Sequence, residues 1–322
     1  MLRLDDVTKV FKTGTFGGKA LTAVSGVTFE VGPGEVVSLI GESGSGKTTV
    51  GRMILRLTAV TGGSITFDGQ DVATFGRREL HGYYGRVQGV FQDPFSSYNP
   101  IFKADRVFDV IKQEYFPHVG RNEWGNKVDH ALESVGLNPR EVLNKYPHQL
   151  SGGQLQRMLI GRALLLDIDF LVADEIISML DASTRVDVLN LLADLKSRGL
   201  SILFITHDLS LGYYISERAV ILYQGRIAEM GTAEKVLTNP QHPYTKMLMA
   251  SVAHLHEKWP AGEDDRPPRQ IEVAGGCVYY GRCPVADRSL GCDRQTPELF
   301  EVEPDHLVAC FVAAQQTDGG MA

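Results

Sequence analysis

The run Gly41-Glu42-Ser43-Gly44-Ser45-Gly46-Lys47-Thr48 carries the residue types and the spacing that phosphate chemistry requires. It fits G-x-x-x-x-G-K-[ST], a loop whose backbone N–H groups wrap around nucleotide phosphates. Gly41, Ser43, Gly44, Ser45 and Gly46 let the main chain approach the anion, with Thr49 following at the start of the next element. Lys47 would reach the β- and γ-phosphates, and the Thr48 hydroxyl would ligate Mg²⁺. Hydrolysis also needs a second carboxylate on the metal and a group that orients water. Asp174 and Glu175, at the end of Phe170-Leu171-Val172-Ala173, supply both: Asp174 for Mg²⁺ and Glu175 to polarise the attacking water. Leu150-Ser151-Gly152-Gly153-Gln154, ahead of Leu155, Leu159 and Ala163, forms a second helix start suited to phosphate. One nucleotide does not need two such cradles from one chain. A dimer in which each chain offers Ser151, Gly152, Gly153 and Gln154 to its partner's nucleotide is the economical reading.

These residues require particular elements to hold them. Val36-Val37-Ser38-Leu39-Ile40 reads as a buried strand, and Val50, Met53, Ile54 and Leu57 fall on one helical face after the loop. The loop then lies between a strand and a helix N-terminus, where the dipole favours an anion. Leu2–Val10 and Leu21–Val31 read as strands around a Gly/Lys loop at Thr13–Lys19, and Ile65–Phe67 leads into an Asp68-Gly69 turn. Residues from about 103 to 150 turn helical, with Val128, Ala131, Leu132 and Val135 on one face, closed by Gly136 and Asn138-Pro139. Strand 170–173, a helix around Val188, Leu192 and Leu195, and strand Ser201–Thr206 restore an alternating rhythm that predicts a parallel α/β core. Ala219–Met230 reads as a hairpin through Gln224-Gly225. Residues 254–270 read as a linker, in which His254 and His256 are solvated. The division expected is a nucleotide-binding domain over 1–253, with a helical part at about 93–165, then a linker and a four-cysteine module over 254–322.

The chain has 322 residues, enough for a large core, and no internal repeat, so it holds one nucleotide-binding unit. Its net charge of −7 argues against a partner held by nucleic-acid phosphates. No apolar run reaches the length of a membrane span; the most apolar stretch, Ala163–Ala173, is broken by Asp167 and Asp169. Met1–Asp6 lacks the apolar core of a signal peptide, which predicts a cytosolic chain.

With its phosphate loop, Asp174-Glu175 and Leu150–Gln154 in one order, the sequence resembles the ATP-binding cassette ATPases. The resemblance implies two cassettes that close head-to-tail on two ATP molecules. It implies that Gln92 links the metal site to a membrane partner and itself faces Mg²⁺, and that His207 is the switch histidine beside the γ-phosphate. It further implies that Asp181 lies in the dimer-facing loop and that Phe11 stacks on adenine. The likeness is greater to the ATPases of oligopeptide, dipeptide and nickel importers. It is carried by Phe91-Gln92-Asp93-Pro94-Phe95-Ser96-Ser97-Tyr98-Asn99-Pro100, Tyr146-Pro147-His148, His242-Pro243-Tyr244-Thr245 and the tail around Arg282-Cys283-Pro284. It spans residues 1 to about 312. Ile176 stands where that family has proline, Met179 where it has alanine, and Ile168 where proline is common. Met179 is bulky at a position expected near the partner, which points to a non-identical second cassette.

Cys277, Cys283, Cys292 and Cys310 are all the cysteines of the chain, spaced by 5, 8 and 17 residues. In a cytosolic protein such a set favours metal over disulfides. Zinc modules use tighter pairs, so the loose spacing suits a 4Fe–4S cluster better, and the resemblance implies the same; zinc and free thiols remain open. The function expected is the ATP-hydrolysing motor of a peptide importer on the cytoplasmic face of the cell membrane. It would work with a second cassette, two permeases and, indirectly, an extracytoplasmic binding protein. The rival is a soluble ATP-driven clamp acting on nucleic acid or a macromolecular assembly.

Overall fold

The computed structural model describes residues 1–12, 20–251 and 275–318. The Thr13–Lys19 loop and the 254–270 linker, with His254, His256 and the expected domain boundary, lie outside the described residues. Along the chain the strands are β1 (Leu2–Lys12), β2 (Ala20–Val31), β3 (Val36–Ile40), β4 (Gly62–Phe67), β5 (Gln70–Asp71) and β6 (Val87–Val90). They continue with β7 (Phe170–Asp174), β8 (Ser201–Thr206), β9 (Arg218–Tyr223), β10 (Arg226–Thr232), β11 (Phe300–Glu303) and β12 (His306–Val308). One antiparallel sheet has the order β2-β1-β4-β5, and the main sheet runs β11-β12-β10-β9-β3-β8-β7-β6.

Every residue of β3, β7 and β8 is buried, which is why these strands read as unbroken aliphatic runs: helices or sheet cover both faces. From β6 to β9 the pairing is parallel, so the carboxyl ends of β3, β7 and β8 open on one edge. The helix Lys47–Ile54 buries Val50, Met53 and Ile54 against that sheet. It ends earlier than its periodicity predicts. Arg56 adopts φ 52° and Leu57 is 60% exposed, so Leu57 is no part of the buried face. The helix Arg121–Ser134 buries Val128, Ala131 and Leu132 as expected and stops at Gly136, φ 69°.

The sheet is not parallel throughout, and the tail is not an appended module. β10 returns antiparallel to β9 through Gln224-Gly225, and β12 then pairs with β10, and β11 with β12. The C-terminal residues thus complete the sheet of the nucleotide-binding core. Gly231 permits the approach: a Cβ there would lie 2.3 Å from the Asp305 carbonyl oxygen. A buried ionic knot secures the join. Glu229, wholly buried, accepts from the Gln241 N–H (2.7 Å) and the His242 N–H (3.0 Å) and lies 2.7 Å from His306 Nε2. His306 Nδ1 meets Glu303 at 3.0 Å, so the ring is held between two carboxylates. Burial opposes its charge, but the bonds to Glu229 and Glu303 outweigh that and raise its pKa. His242 behaves oppositely. Its Nδ1 accepts from the Tyr244 N–H at 3.0 Å as a helix cap, and burial lowers its pKa to about 4.

A pH dependence follows. Between the ordinary value of 6.5 and about 4, the unfolded chain binds a proton at His242 that the folded chain refuses. The corresponding stability is complete above pH 6.5 and is lost as pH falls towards 4, by up to about 3 kcal/mol. Denaturant titrations of the natural chain and His242→Asn should diverge across that window, because asparagine keeps the cap without titrating. Parallel pH profiles would remove His242 from this role.

Candidate nucleotide site

The phosphate loop is built by crowding. A Cβ on Gly41 would lie 2.2 Å from the Leu222 carbonyl of β9, and one on Gly46, φ 106°, would lie 2.5 Å from the Ala23 carbonyl of β2. The Gly225 N–H donates to the Ser45 carbonyl (2.8 Å), so the β9–β10 turn pins the loop from outside. The loop lines a cavity of about 650 Å³ with Gly41, Glu42, Ser43, Gly44, Gly46, Lys47, Thr48, Thr49, Gln92, Glu175 and His207. Ala23 and Leu248 complete the wall.

Lys47 Nζ donates to the Gly41 (2.7 Å) and Glu42 (2.9 Å) carbonyls, folded back on the loop. Burial lowers its pKa, against the pull of Glu175, Asp174 and Glu42. Anionic phosphate would relieve that strain on the charge. Asp174 is buried, and burial raises its pKa, although the Thr48 hydroxyl donates to it at 3.3 Å. A buried carboxylate beside a hydroxyl at a phosphate site is a fitting pair of Mg²⁺ ligands, with Gln92 across the cavity. Glu175 sits at φ 50°, its N–H anchored to the Ile205 carbonyl of β8 (2.9 Å). That unusual backbone turns the carboxylate into the cavity, where Oε1 lies 3.3 Å from His207 Nδ1. Ile176 and Ile177 are buried in the core beneath it, so the departure at Ile176 is absorbed by packing.

Other predicted residues lie elsewhere. Ser45 is buried beneath the loop with its hydroxyl unpartnered. Phe11 does not line the cavity; Lys9 stands 5.0 Å from its ring. Ser151 and Gln154 cap the helix Gly152–Leu164 reciprocally, Ser151 Oγ accepting from the Gln154 N–H (3.2 Å) and Gln154 Oε1 from the Ser151 N–H (2.9 Å). Asp181 caps the helix Ala182–Ser197, accepting from the Thr184 N–H (3.0 Å), and its bonds to Ser183 and Thr184 depress its pKa. The two helix starts adjoin, since a Cβ on Gly153 would meet Thr184 Cγ2 at 2.8 Å. Neither joins the cavity around Lys47.

Comparison with known proteins settles the class. The pattern of the ABC transporter family matches residues 24–178, and that of the oligopeptide/dipeptide transporter C-terminal region matches residues 228–292. A Brucella ovis protein named for peptide import and ATP binding is 43% identical over 303 residues, 90% of this chain and 92% of the relative. The Bacillus subtilis oligopeptide transport ATP-binding protein AppF is 38% identical over 325 residues, 97% of each chain. This chain belongs to the ABC transporter ATP-binding proteins. A cassette captured as a dimer after hydrolysis, bound to ADP and Pi, superposes with TM-score 0.66 at 29% identity, covering 72% of this chain and 99% of its own. The cassette is therefore an ATPase, and the fold read from its sequence is the cassette fold.

The thiols lie apart from the nucleotide cavity. Cys277, Cys283, Cys292 and Cys310 do converge on one small cavity, lined also by His242, Tyr279 and Tyr280. As they stand, no three His, Cys, Asp or Glu side chains among the described residues group closely enough to hold a metal ion. All four cysteines are free, and burial raises the pKa of Cys277, of Cys310 and, to about 11, of Cys283. Among the described residues the four side chains stand as free thiols rather than as a formed metal site.

Sequence reasoning missed the backing of the phosphate loop. The Glu42 N–H donates to Tyr244 Oη at 2.9 Å, and Arg282 forks onto the Glu42 carboxylate. The available signal was His242-Pro243, a cap followed by proline at a helix start, which announces a fixed helix at Tyr244.

The loop's glycines are not equivalent. Gly46→Ala forces a side chain into the Ala23 carbonyl at a positive φ, whereas Gly44, φ 81°, has nothing within 4 Å. Equilibrium unfolding and nucleotide titration should show Gly46→Ala destabilised by several kcal/mol and unable to bind ATP, and Gly44→Ala by only about 1–2 kcal/mol. Equal losses would contradict the crowding described.

Proposed function

We propose that this ATPase is one cassette of a closing pair that energises peptide uptake through a membrane permease. The observation that carries the reading is the separation within one chain of the Lys47 cavity from the capped Ser151–Gln154 helix start. A second chain would bring Ser151, Gly152 and Gly153, with Asp181 beside them, over the nucleotide. Met179, 61% exposed next to Asp181, supports a non-identical partner cassette. Exposed Phe95, Ile101 and Phe102, close after Gln92, support contact with two permease subunits. The peptide cargo rests on the names of the relatives and on the match at 228–292. A peripheral position on the cytoplasmic face, with an extracytoplasmic binding protein delivering cargo, accords with this; no helix among the described residues is long and apolar enough to cross a membrane. The net charge of −7 weighs against the rival clamp on nucleic acid.

In the mechanism, Lys47 exchanges the Gly41 and Glu42 carbonyls for β/γ-phosphate oxygens. Thr48 and Asp174, with Gln92 on the cavity wall, would hold Mg²⁺, which would supply neutralisation of phosphate charge. Glu175 orients a water towards the γ-phosphorus and accepts its proton as the bond to the leaving ADP oxygen breaks. His207, 3.3 Å from Glu175, fixes that carboxylate and can sense the γ-phosphate. Phe11, at the β1 end of the antiparallel sheet, stays our candidate for adenine stacking once nucleotide arrives. ATP favours the closed pair only through its higher affinity for that state.

Glu175→Gln should bind Mg-ATP normally and lose turnover by about 10²-fold or more. Tagged, loaded with ATP and Mg²⁺, and extracted gently from native membranes, it should retain two permeases and a second cassette. Undiminished hydrolysis would remove Glu175 from its role; recovery of soluble partners or nucleic acid alone would overturn transport.

For the thiol cavity we propose 4Fe–4S assembly, with zinc as the other occupant. Support comes from the convergence of four cysteines on one cavity, although thiols must ionise and draw together for either. Anaerobic incubation of the full chain with iron and sulfide should yield four irons per chain and a cluster absorption band under this reading; metal analysis showing neither iron nor zinc retained would leave four free thiols.

A further inference from the structure

The second residue of the phosphate loop, Glu42, is a carboxylate on the wall of a cavity built for anions. It is a Coulombic neighbour of Lys47, the residue that must engage phosphate. Left unpaired, it would repel ATP and compete for the lysine. Two groups from the C-terminal half restrain it. Arg282 donates from Nη1 to Oε2 (2.9 Å) and from Nη2 to Oε1 (3.2 Å), a bidentate fork, and Tyr244 Oη accepts the Glu42 N–H (2.9 Å). The fork is itself held in place. Arg282 ends the short turn Tyr280–Arg282, whose N–H groups reach back to Cys277 and Tyr279, and it lies 5.9 Å from the ring centres of Tyr223 and Tyr279. Tyr223, Tyr244 and Tyr279 form one aromatic cluster, with centroids 4.5 to 5.5 Å apart.

We propose that Arg282 is a positioning residue for nucleotide binding: it turns the Glu42 carboxylate away from the phosphates and cancels its charge, so the cysteine-bearing segment sets the ATP affinity of the cassette. Arg282 adjoins Cys283, so whatever occupies the thiol cavity is felt at the phosphate loop through one side chain. The inference rests on the nucleotide-site reading above. A merely structural Arg282 would stiffen the segment without any dependence on the charge of Glu42.

The test is Mg-ATP titration of the full chain with steady-state ATPase kinetics, at low and high salt. Arg282→Ala should weaken binding and raise KM about three- to tenfold with kcat within about twofold, the loss shrinking at high salt because the pair is partly exposed. Arg282→Lys, which keeps charge but not the fork, should fall between. Glu42→Gln introduced into Arg282→Ala should recover most of the lost affinity. Unchanged affinity in Arg282→Ala, or no recovery with Glu42→Gln, overturns the proposal. Should Arg282→Ala fail to fold, Glu42→Gln alone decides: it frees Arg282 towards phosphate and should tighten binding about twofold or more, and weaker binding overturns the proposal. Lys47→Ala separates the two failures. If it binds ATP normally the site reading falls, whereas loss there with a flat Arg282 series sinks only this inference.

Discussion

The carboxyl end of β3 is a place where three main chains meet without room for a side chain. The loop that leaves it runs between the Leu222 carbonyl of β9 on one side and the Ala23 carbonyl of β2 on the other, and the turn of the β9–β10 hairpin closes over it through Gly225. Only glycine fits at positions 41 and 46, and the contacts that force glycine there also fix the direction of every backbone N–H in the loop. A phosphate cradle is thereby preorganised by packing at some distance from the phosphate. The two sheets must dock as they do for the loop to exist, so the antiparallel sheet serves the site as much as it covers the core. The same crowding leaves Lys47 with no partner better than the carbonyls of its own loop, ready to be exchanged.

The chemistry was legible in the sequence where it depends on residue type at short spacing. The phosphate loop, the Asp174-Glu175 pair and the helix start at Ser151 each lie within a handful of consecutive residues, and their elements have strong periodicity or continuous apolar character. What was illegible depends on long-range closure. β11 and β12 are short and polar on one face, and nothing local tells that they extend the core sheet; their place is decided by Glu229, wholly buried and compensated by His306 from 77 residues further on. A buried glutamate in a strand reads as an exposed one until its partner is known. The Arg282–Glu42 pair, separated by 240 residues, is invisible for the same reason. The extra turn expected of the helix after the loop failed because Leu57 satisfies the period while Arg56 has already turned the chain aside.

The thiols show how far spacing alone can be read. Their sequence separations suit a cluster, and the fold does bring all four to one cavity, where burial raises the pKa of Cys277, Cys283 and Cys310 and the side chains do not group closely enough to hold a metal as they stand. A metal would have to repay both deprotonation and rearrangement, which ties occupancy to the folding of the segment that carries Arg282.

Two electrostatic knots thus join the tail to the cassette, and they differ in kind. Glu229 with His306 and His242 is buried beyond the reach of salt; removing one partner would strand a charge in the core, so it acts as a fastener. Arg282 with Glu42 is partly exposed, weak enough to be made and broken, and sits on the wall of the nucleotide cavity. A strong bond here would freeze the phosphate loop and a neutral contact would transmit nothing. The buried knot guarantees that the tail is always present, and the exposed one lets its local geometry be read at the ATP site.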